Sequence, residues 1–368
     1  MTHPTNPLRR VHALGQSIWL DDIRRGWLRD GYLARLIADD LVAGVTSNPT
    51  IFAKSISEGA EYNQDIAKLA RAGRSFAEIY ETLALDDVQA AADLFRQTFS
   101  TMNGADGFVS LEVSPHLADD TKATIAEGLR LWRAFNRPNA MIKVPGTEAG
   151  LPAITELIAA GVNVNVTLLF SVDRYRAVVD AYLTGLEQRV KAGKPIDKVA
   201  SVASFFLSRI DALVDAKLDA LKTIEAKAMR GHAAIACARL AYQHYKQWTS
   251  SQRWQTLAAS GAKPQRLLWA STSSKDPAYK DTMYVEALIA PNTVNTMPPA
   301  TVDAYRDHGD PAVRIEDNLA DAAETVRLLR DLGIDSNVVG QQLEREGVKK
   351  FAEPFDALLA TLQARAGK

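Results

Sequence analysis

The chain has 368 residues, 47% of them hydrophobic and 24% charged, a balance ordinary for a globular protein with room for a large core or two domains. Its net charge of -1 sets up no general field for nucleic acid or an anionic membrane. The expected partners are therefore small molecules.

Taken in order, the N-terminal stretch MTHPTNPLRR lacks the apolar core of a secretory signal. No run anywhere approaches the roughly 20 apolar residues of a membrane span, so a cytoplasmic location is expected. Ser17 to Asp21, SIWLD, predicts a short strand ending in two aspartates before a helical stretch around Ile23 to Leu28. Leu41 to Asn48 predicts a second strand that ends in TSNPT, where Pro49 breaks the ladder. Val88, Ala91, Ala92, Phe95 and Phe99 form a helical stripe. It leads to a strand over Phe108 to Val113, with Ser110 and Glu112 on one face. A helix from about Thr121 follows, carrying Ile125, Leu129 and Trp132.

The next stretch organises the rest. Ala140 to Val144 is apolar except at Lys143, and lysine is among the residues least often fully buried. Thr147 to Ala160 has helical spacing and stops at Gly161, which accepts a left-handed cap. Val162 to Leu168 then alternates, with Val162, Val164, Val166 and Leu168 on one face and Asn163, Asn165 and Thr167 on the other. Both faces of a buried parallel strand should be apolar, so a polar inner face implies a wet, reactive cavity. The three pieces make one right-handed βαβ unit, with both strand ends at the same rim.

Ser171 is a plausible cap for the stripe Tyr175, Val178, Val179, Tyr182 and Leu186, which stops at Gly193. Lys198 to Phe206 predicts a strand, and a helix-rich stretch runs from Ser208 to about Ser260. The lone cysteine, Cys237, excludes an intrachain disulfide and a cysteine-based zinc cluster. Arg266 to Ser271 and Glu286 to Ala290 predict two more strands, the second running into a proline-rich loop, APNTVNTMPP. From Asp310 to Lys368 the pattern is helical, with breaks expected at Gly333, Gly340 and Pro354.

Eight strands separated by helices predict a parallel α/β protein, and eight favours a closed (β/α)8 barrel. One such domain is expected over 1–368, with helix-rich additions around 208–260 and a helical tail over 310–368. The alternative, an open doubly wound sheet, usually binds nucleotide through a glycine-rich first turn, and no such pattern occurs. In a barrel the working residues sit at the C-terminal strand ends, where Asp21, Asn48, Glu112, Lys143, Thr167, Ser204 and Ser271 recur. A lysine whose stem lies in an apolar barrel loses solvation, and its neutral amine can attack a carbonyl to form a Schiff base. Asp21 and Glu112 can move protons beside it, while Thr167, Asn48 and Asn165 suit a polyhydroxylated substrate or an ordered water.

Simpler readings stay open at this point. Lys143 can be a solvent-tipped or paired strand lysine, Asp21 a helix cap, Glu112 a structural partner of Lys143, and Asn48 a turn residue. The six histidines show no metal-ligand spacing, so no metal site is expected, and Ser204 lacks a nucleophile elbow.

In this order, SIWLD, GVTSNPTIF, VSLEVSP, AMIKVPGTEAG, NVNVTLLFS, SFFLSRID and LLWASTSSKDP resemble the transaldolases, particularly their longer bacterial branch. The resemblance runs from about Ser17 to Pro298, and the ending GVKKFAEPFDALL is similar too. It implies a (β/α)8 barrel with no cofactor. The implied reaction moves a dihydroxyacetone unit from sedoheptulose 7-phosphate to glyceraldehyde 3-phosphate, giving erythrose 4-phosphate and fructose 6-phosphate in the pentose phosphate pathway. By motif match Lys143 is the Schiff-base lysine, Asp21 the general acid/base, and Glu112 a proton relay through a water held with Thr167. Asn48 and Asn165 would hold the hydroxyls of the three-carbon unit, and Ser204 and Arg209 the phosphate. Phe206 matches a position where the related fructose 6-phosphate aldolases carry tyrosine.

Shorter members have a second phosphate arginine after an AS dipeptide in the seventh strand. Here AS is followed by TSSKDP, which offers Lys275 for that role. An aldolase-like lyase and a non-enzymatic sugar-phosphate binder are the alternatives, and the sequence assigns no oligomeric state.

Overall fold

The computed structural model describes residues 6–366. The first five residues of MTHPTNPLRR and the last two of the expected tail lie outside the described residues. Eight strands form the centre: β1 (Gln16–Leu20), β2 (Val42–Val45), β3 (Phe108–Glu112), β4 (Ala140–Pro145), β5 (Val164–Leu169), β6 (Ser201–Phe206), β7 (Arg266–Ala270) and β8 (Thr293–Met297). Each pairs parallel with the next, and β8 returns to β1, so the sheet closes into a (β/α)8 barrel. Closure removes every sheet edge and leaves the strands buried on both sides, which is why they read as apolar runs interrupted by a few inward polar residues.

The unit β4, helix Gly150–Ala160 and β5 follows the sequence expectation, with Gly161 capping the helix at φ 92°. The cap at Ser171 also forms, its hydroxyl accepting from the Arg174 amide. Helices crowd the predicted stretch after Ser208: Ser208–Leu221, Ile224–Ala228, Ala233–Thr249 and Gln252–Ala259. The apolar residues from Leu8 to Leu362 join in one cluster of buried side chains.

Three expectations are corrected. The segment predicted as the eighth strand, Glu286 to Ala290, belongs instead to the short helix Met283–Ala287 and the turn after it, and the true β8 lies in the proline-rich stretch. Glu286 is held in that helical turn by Lys280 and Thr282, while Pro298 and Pro299 stand just beyond β8 and start the next helix. In β5 the alternation stops at Thr167. Leu168 takes φ 63°, the pairing register with β6 shifts between Val166 and Leu169, and the Leu168 side chain turns toward the barrel mouth. Finally, Gly340 and Pro354 do not break the tail, since one helix runs over Ser336–Ala366. A Cβ at Gly340 would meet Ser171 Cβ at 2.9 Å, so packing against the barrel asks for glycine there. Pro354 frees the Lys350 carbonyl, which accepts from Thr50 Oγ1 at 3.5 Å instead.

Candidate active site

The polar strand ends converge as the alternation in β3 to β5 implies. In register, Glu112 lies beside Lys143 and Lys143 beside Asn165. Lys143 is 3% exposed. Its Nζ donates to the Ser47 carbonyl at 3.1 Å and meets Glu112 Oε2 as an ion pair at 3.1 Å. The simpler reading of Glu112 as a partner of Lys143 is thus what the geometry contains. Burial raises the Glu112 pKa and Lys143 pulls it back, so this carboxyl keeps a proton more readily than an ordinary glutamate. Among the described residues, neither Glu112 oxygen accepts a directed hydrogen bond, and buried Thr167 Oγ1 has no partner either.

Asp21 follows the last residue of β1 and accepts from Thr46 Oγ1 at 2.8 Å. Burial raises its pKa against the pull of Lys143 and the Thr46 hydrogen bond. It is no helix cap, because Arg24 holds that place before the helix Arg25–Arg29. The neighbouring Asp22, pushed up to about 6 mainly by burial, faces Arg24 at 3.5 Å.

Above these groups opens a cavity of about 240 Å³, lined by Asp21, Asn48, Lys143, Ser204, Phe206, Arg209 and Lys275 among the predicted residues. Asn48 is also a cap: its Oδ1 accepts from the Ile51 amide at 3.0 Å at the start of helix Pro49–Glu58, which fixes the side chain at the cavity edge. Asn165 does not line the cavity. It is fully buried one layer down, donating to Ser110 Oγ at 3.0 Å and accepting from Ser204 Oγ at 2.7 Å. Thr167 and Glu112 likewise stand behind the lining residues.

One wall of the cavity is basic. Arg209 comes from the first turn of helix Ser208–Leu221, and its Nη1 is buried without a hydrogen-bond partner among the described residues. Burial lowers its pKa, and carboxylates at Asp21 and Glu112 raise it. Lys275 donates to Ser273 Oγ at 2.8 Å, and both burial and the Arg209 charge lower its pKa. Two partly desolvated cations that repel each other across one wall make a seat for an anion.

Sequence reasoning missed Thr46, Ser273, Thr296 and Phe351 in the lining. Thr46 precedes SNP within a motif already singled out, so its signal was present. Phe351 lies in GVKKFAEPFDALL, a stretch noted for its resemblance, but nothing in its spacing places it at the cavity. Among the described residues no group of three or more histidine, cysteine or acidic side chains could hold a metal, and no helix is long and apolar enough to cross a membrane.

The family model for transaldolase/fructose-6-phosphate aldolase matches residues 18–362. A transaldolase of Parafrankia sp. is 50% identical over 364 residues, covering 99% of both chains. One of Saccharopolyspora erythraea is 50% identical over 366 residues, covering 99% of this chain and 98% of that one. A transaldolase of Trichodesmium erythraeum is 48% identical over 374 residues, covering 99% of this chain and 98% of its own. With nearly every residue of the barrel inside these matches, the chain belongs to the transaldolase/fructose-6-phosphate aldolase family.

Proposed function

We propose that this enzyme, a transferase by its family and relatives, moves a dihydroxyacetone unit between sugar phosphates through a Schiff base on Lys143. The observation that carries the reading is the buried Lys143 amine flanked by two carboxyls whose pKa values burial raises, facing a cavity with a basic wall. The amine attacks the ketose carbonyl and loses water, leaving an iminium that accepts electrons from the neighbouring carbon–carbon bond. Asp21 takes the proton from the hydroxyl whose carbon leaves as an aldehyde, and returns it when a new aldehyde arrives. Glu112 Oε1 and Thr167 Oγ1, which have no hydrogen-bond partner among the described residues, hold a water that relays protons during iminium formation. Asn48 binds a hydroxyl of the retained three carbons, and Asn165 orients Ser204 from below. Arg209 and Lys275 receive the phosphate, with Ser204 at the cavity wall.

Sedoheptulose 7-phosphate as donor and glyceraldehyde 3-phosphate as acceptor fit this division of the cavity and make the reaction a step of the pentose phosphate pathway. The whole chain is read as one domain, because its buried apolar side chains form one cluster from Leu8 to Leu362. The decisive experiment is borohydride reduction in the presence of fructose 6-phosphate followed by peptide mapping. The label is expected on Lys143, in chelator-treated enzyme as well as untreated. Labelling of another residue overturns the mechanism.

Two further outcomes are expected. Asp21 must be ionised to accept the hydroxyl proton, and its pKa is raised, so kcat/KM falls with decreasing pH above the usual carboxylate range. The Thr46 hydrogen bond lowers that pKa, so Thr46→Val moves the acid limb to higher pH in a measured pH–rate profile. An unmoved limb assigns it to another group. The second concerns Phe206, at the end of β6 and 7% exposed. A tyrosine hydroxyl there could order water and help protonate the held carbanion. Phe206→Tyr is therefore expected to gain cleavage of fructose 6-phosphate to free dihydroxyacetone and to lose transfer to erythrose 4-phosphate. A folded variant with the parent ratio makes Phe206 a packing residue only.

A further inference from the structure

The C-terminal helix Ser336–Ala366 crosses the barrel mouth, and one of its side chains enters the cavity. Phe351 is 3% exposed, with its ring centroid 5.5 Å from Lys143 Nζ and 5.8 Å from Arg209 Cζ. The approach is built into the sequence one turn earlier. A Cβ at Gly347 would stand 2.8 Å from Leu168 Cδ2 and 3.7 Å from Arg209 Nη1, so a larger residue would have to push the Leu168 tip aside for the helix to lie this close. Leu168 is the residue that leaves the β5 alternation at φ 63°, and the helix rests on it. Polar contacts fix the helix on either side of Phe351: an ion pair of Arg174 with Glu344 at 3.0 Å, and a hydrogen bond between His116 Nε2 and Asp356 Oδ1 at 2.8 Å.

Resting on the Schiff-base reading above, we infer that Phe351 is a specificity-determining residue that keeps the three-carbon unit on Lys143 until an aldehyde arrives. The ring does this from 5.5 Å above Nζ. Its apolar bulk occupies the space through which water would reach the bound enamine from the helix side. The competing fate is balanced by the water already in the cycle. The enamine carbon takes the proton held by Asp21, water adds to the resulting iminium, the carbon–nitrogen bond breaks, and dihydroxyacetone leaves with the lysine amine restored. The water consumed equals the water released when the imine formed, so opening the cavity is enough to turn transfer into cleavage.

The test compares Phe351→Leu and Phe351→Ala with the parent, measuring on one preparation the release of free dihydroxyacetone from fructose 6-phosphate and the transfer to erythrose 4-phosphate. Their ratio does not depend on the fraction of folded enzyme, so a structural role alone leaves it unchanged. The ratio of cleavage to transfer is expected to rise by about tenfold in Phe351→Leu, which keeps part of the apolar volume, and further in Phe351→Ala, which opens the helix side to water. Borohydride labelling of Lys143 is run in parallel. A parent ratio in variants that still label on Lys143 overturns the role of Phe351 alone. Absence of label on Lys143 in the parent enzyme overturns the mechanism beneath it.

Discussion

Lys143→Ala is expected to abolish turnover and borohydride labelling together, since no other amine in the cavity meets Glu112 or sits over the strand ends of β3 to β5. Lys275 is the other lysine in the lining, but it stands on the basic wall with Ser273 and Arg209. Folding need not be lost with activity. Removing one partner of a buried ion pair costs about 3–5 kcal/mol when the other charge stays behind. Glu112 already binds its proton more readily than usual and can become neutral, which lowers that cost. Lys143→Met keeps the apolar stem without the amine and should melt closer to the parent than Lys143→Ala does. Residual turnover with a label elsewhere would mean that the iminium forms on a different nitrogen.

Arg209→Ala is expected to lower kcat/KM for phosphorylated acceptors by roughly 10- to 150-fold, from the about 1.5–3 kcal/mol of one charge-assisted contact. For unphosphorylated aldehydes the loss should be several times smaller. The split matters because Arg209 also lies 5.5 Å from the Phe206 ring, and losing that packing affects all acceptors alike. Equal losses for glyceraldehyde and glyceraldehyde 3-phosphate would reduce Arg209 to a packing residue. Lys275→Ala, made in parallel, should show the same selectivity if the lysine shares the phosphate.

Much of this was legible because local pattern and tertiary role coincide. Lys143 stands alone in an apolar strand, Asn165 and Thr167 alternate with valines, and Gly161 ends the intervening helix, so the central βαβ unit could be read from period and punctuation. Where two patterns compete, reading failed. Thr293–Met297 is a strand whose flanking prolines and asparagines look like loop, and the apolar residues before it fold as a helical turn. Gly340 and Pro354 carry breaker chemistry, but close packing on Ser171 and the Thr50 hydroxyl absorb their costs. Phe351 could not be placed by any window around it, since its position depends on a glycine in its own helix and a left-handed leucine in β5. The depth of Asn165 was equally hidden. Alternation gives the face a residue points to, but not whether it floors the cavity or supports the floor.

The pairing of β1 with β8 has a kinetic side. Gln16 Nε2 donates to Thr293 Oγ1 across 277 positions, and at the mouth Thr46 and Thr296 share a hydrogen bond of 2.6 Å across 250. Contacts of such separation carry a large loop-closure entropy, so they form late when an unfolded chain refolds. Until then the sheet is open, with two bare edges able to recruit other chains. Thr46 also donates to Asp21, which ties this cavity aspartate to the seam itself. Recovery of activity after dilution from denaturant should therefore lag behind recovery of helix signal, and yield should fall as protein concentration rises, because the step that completes the site is also the one that buries the edges.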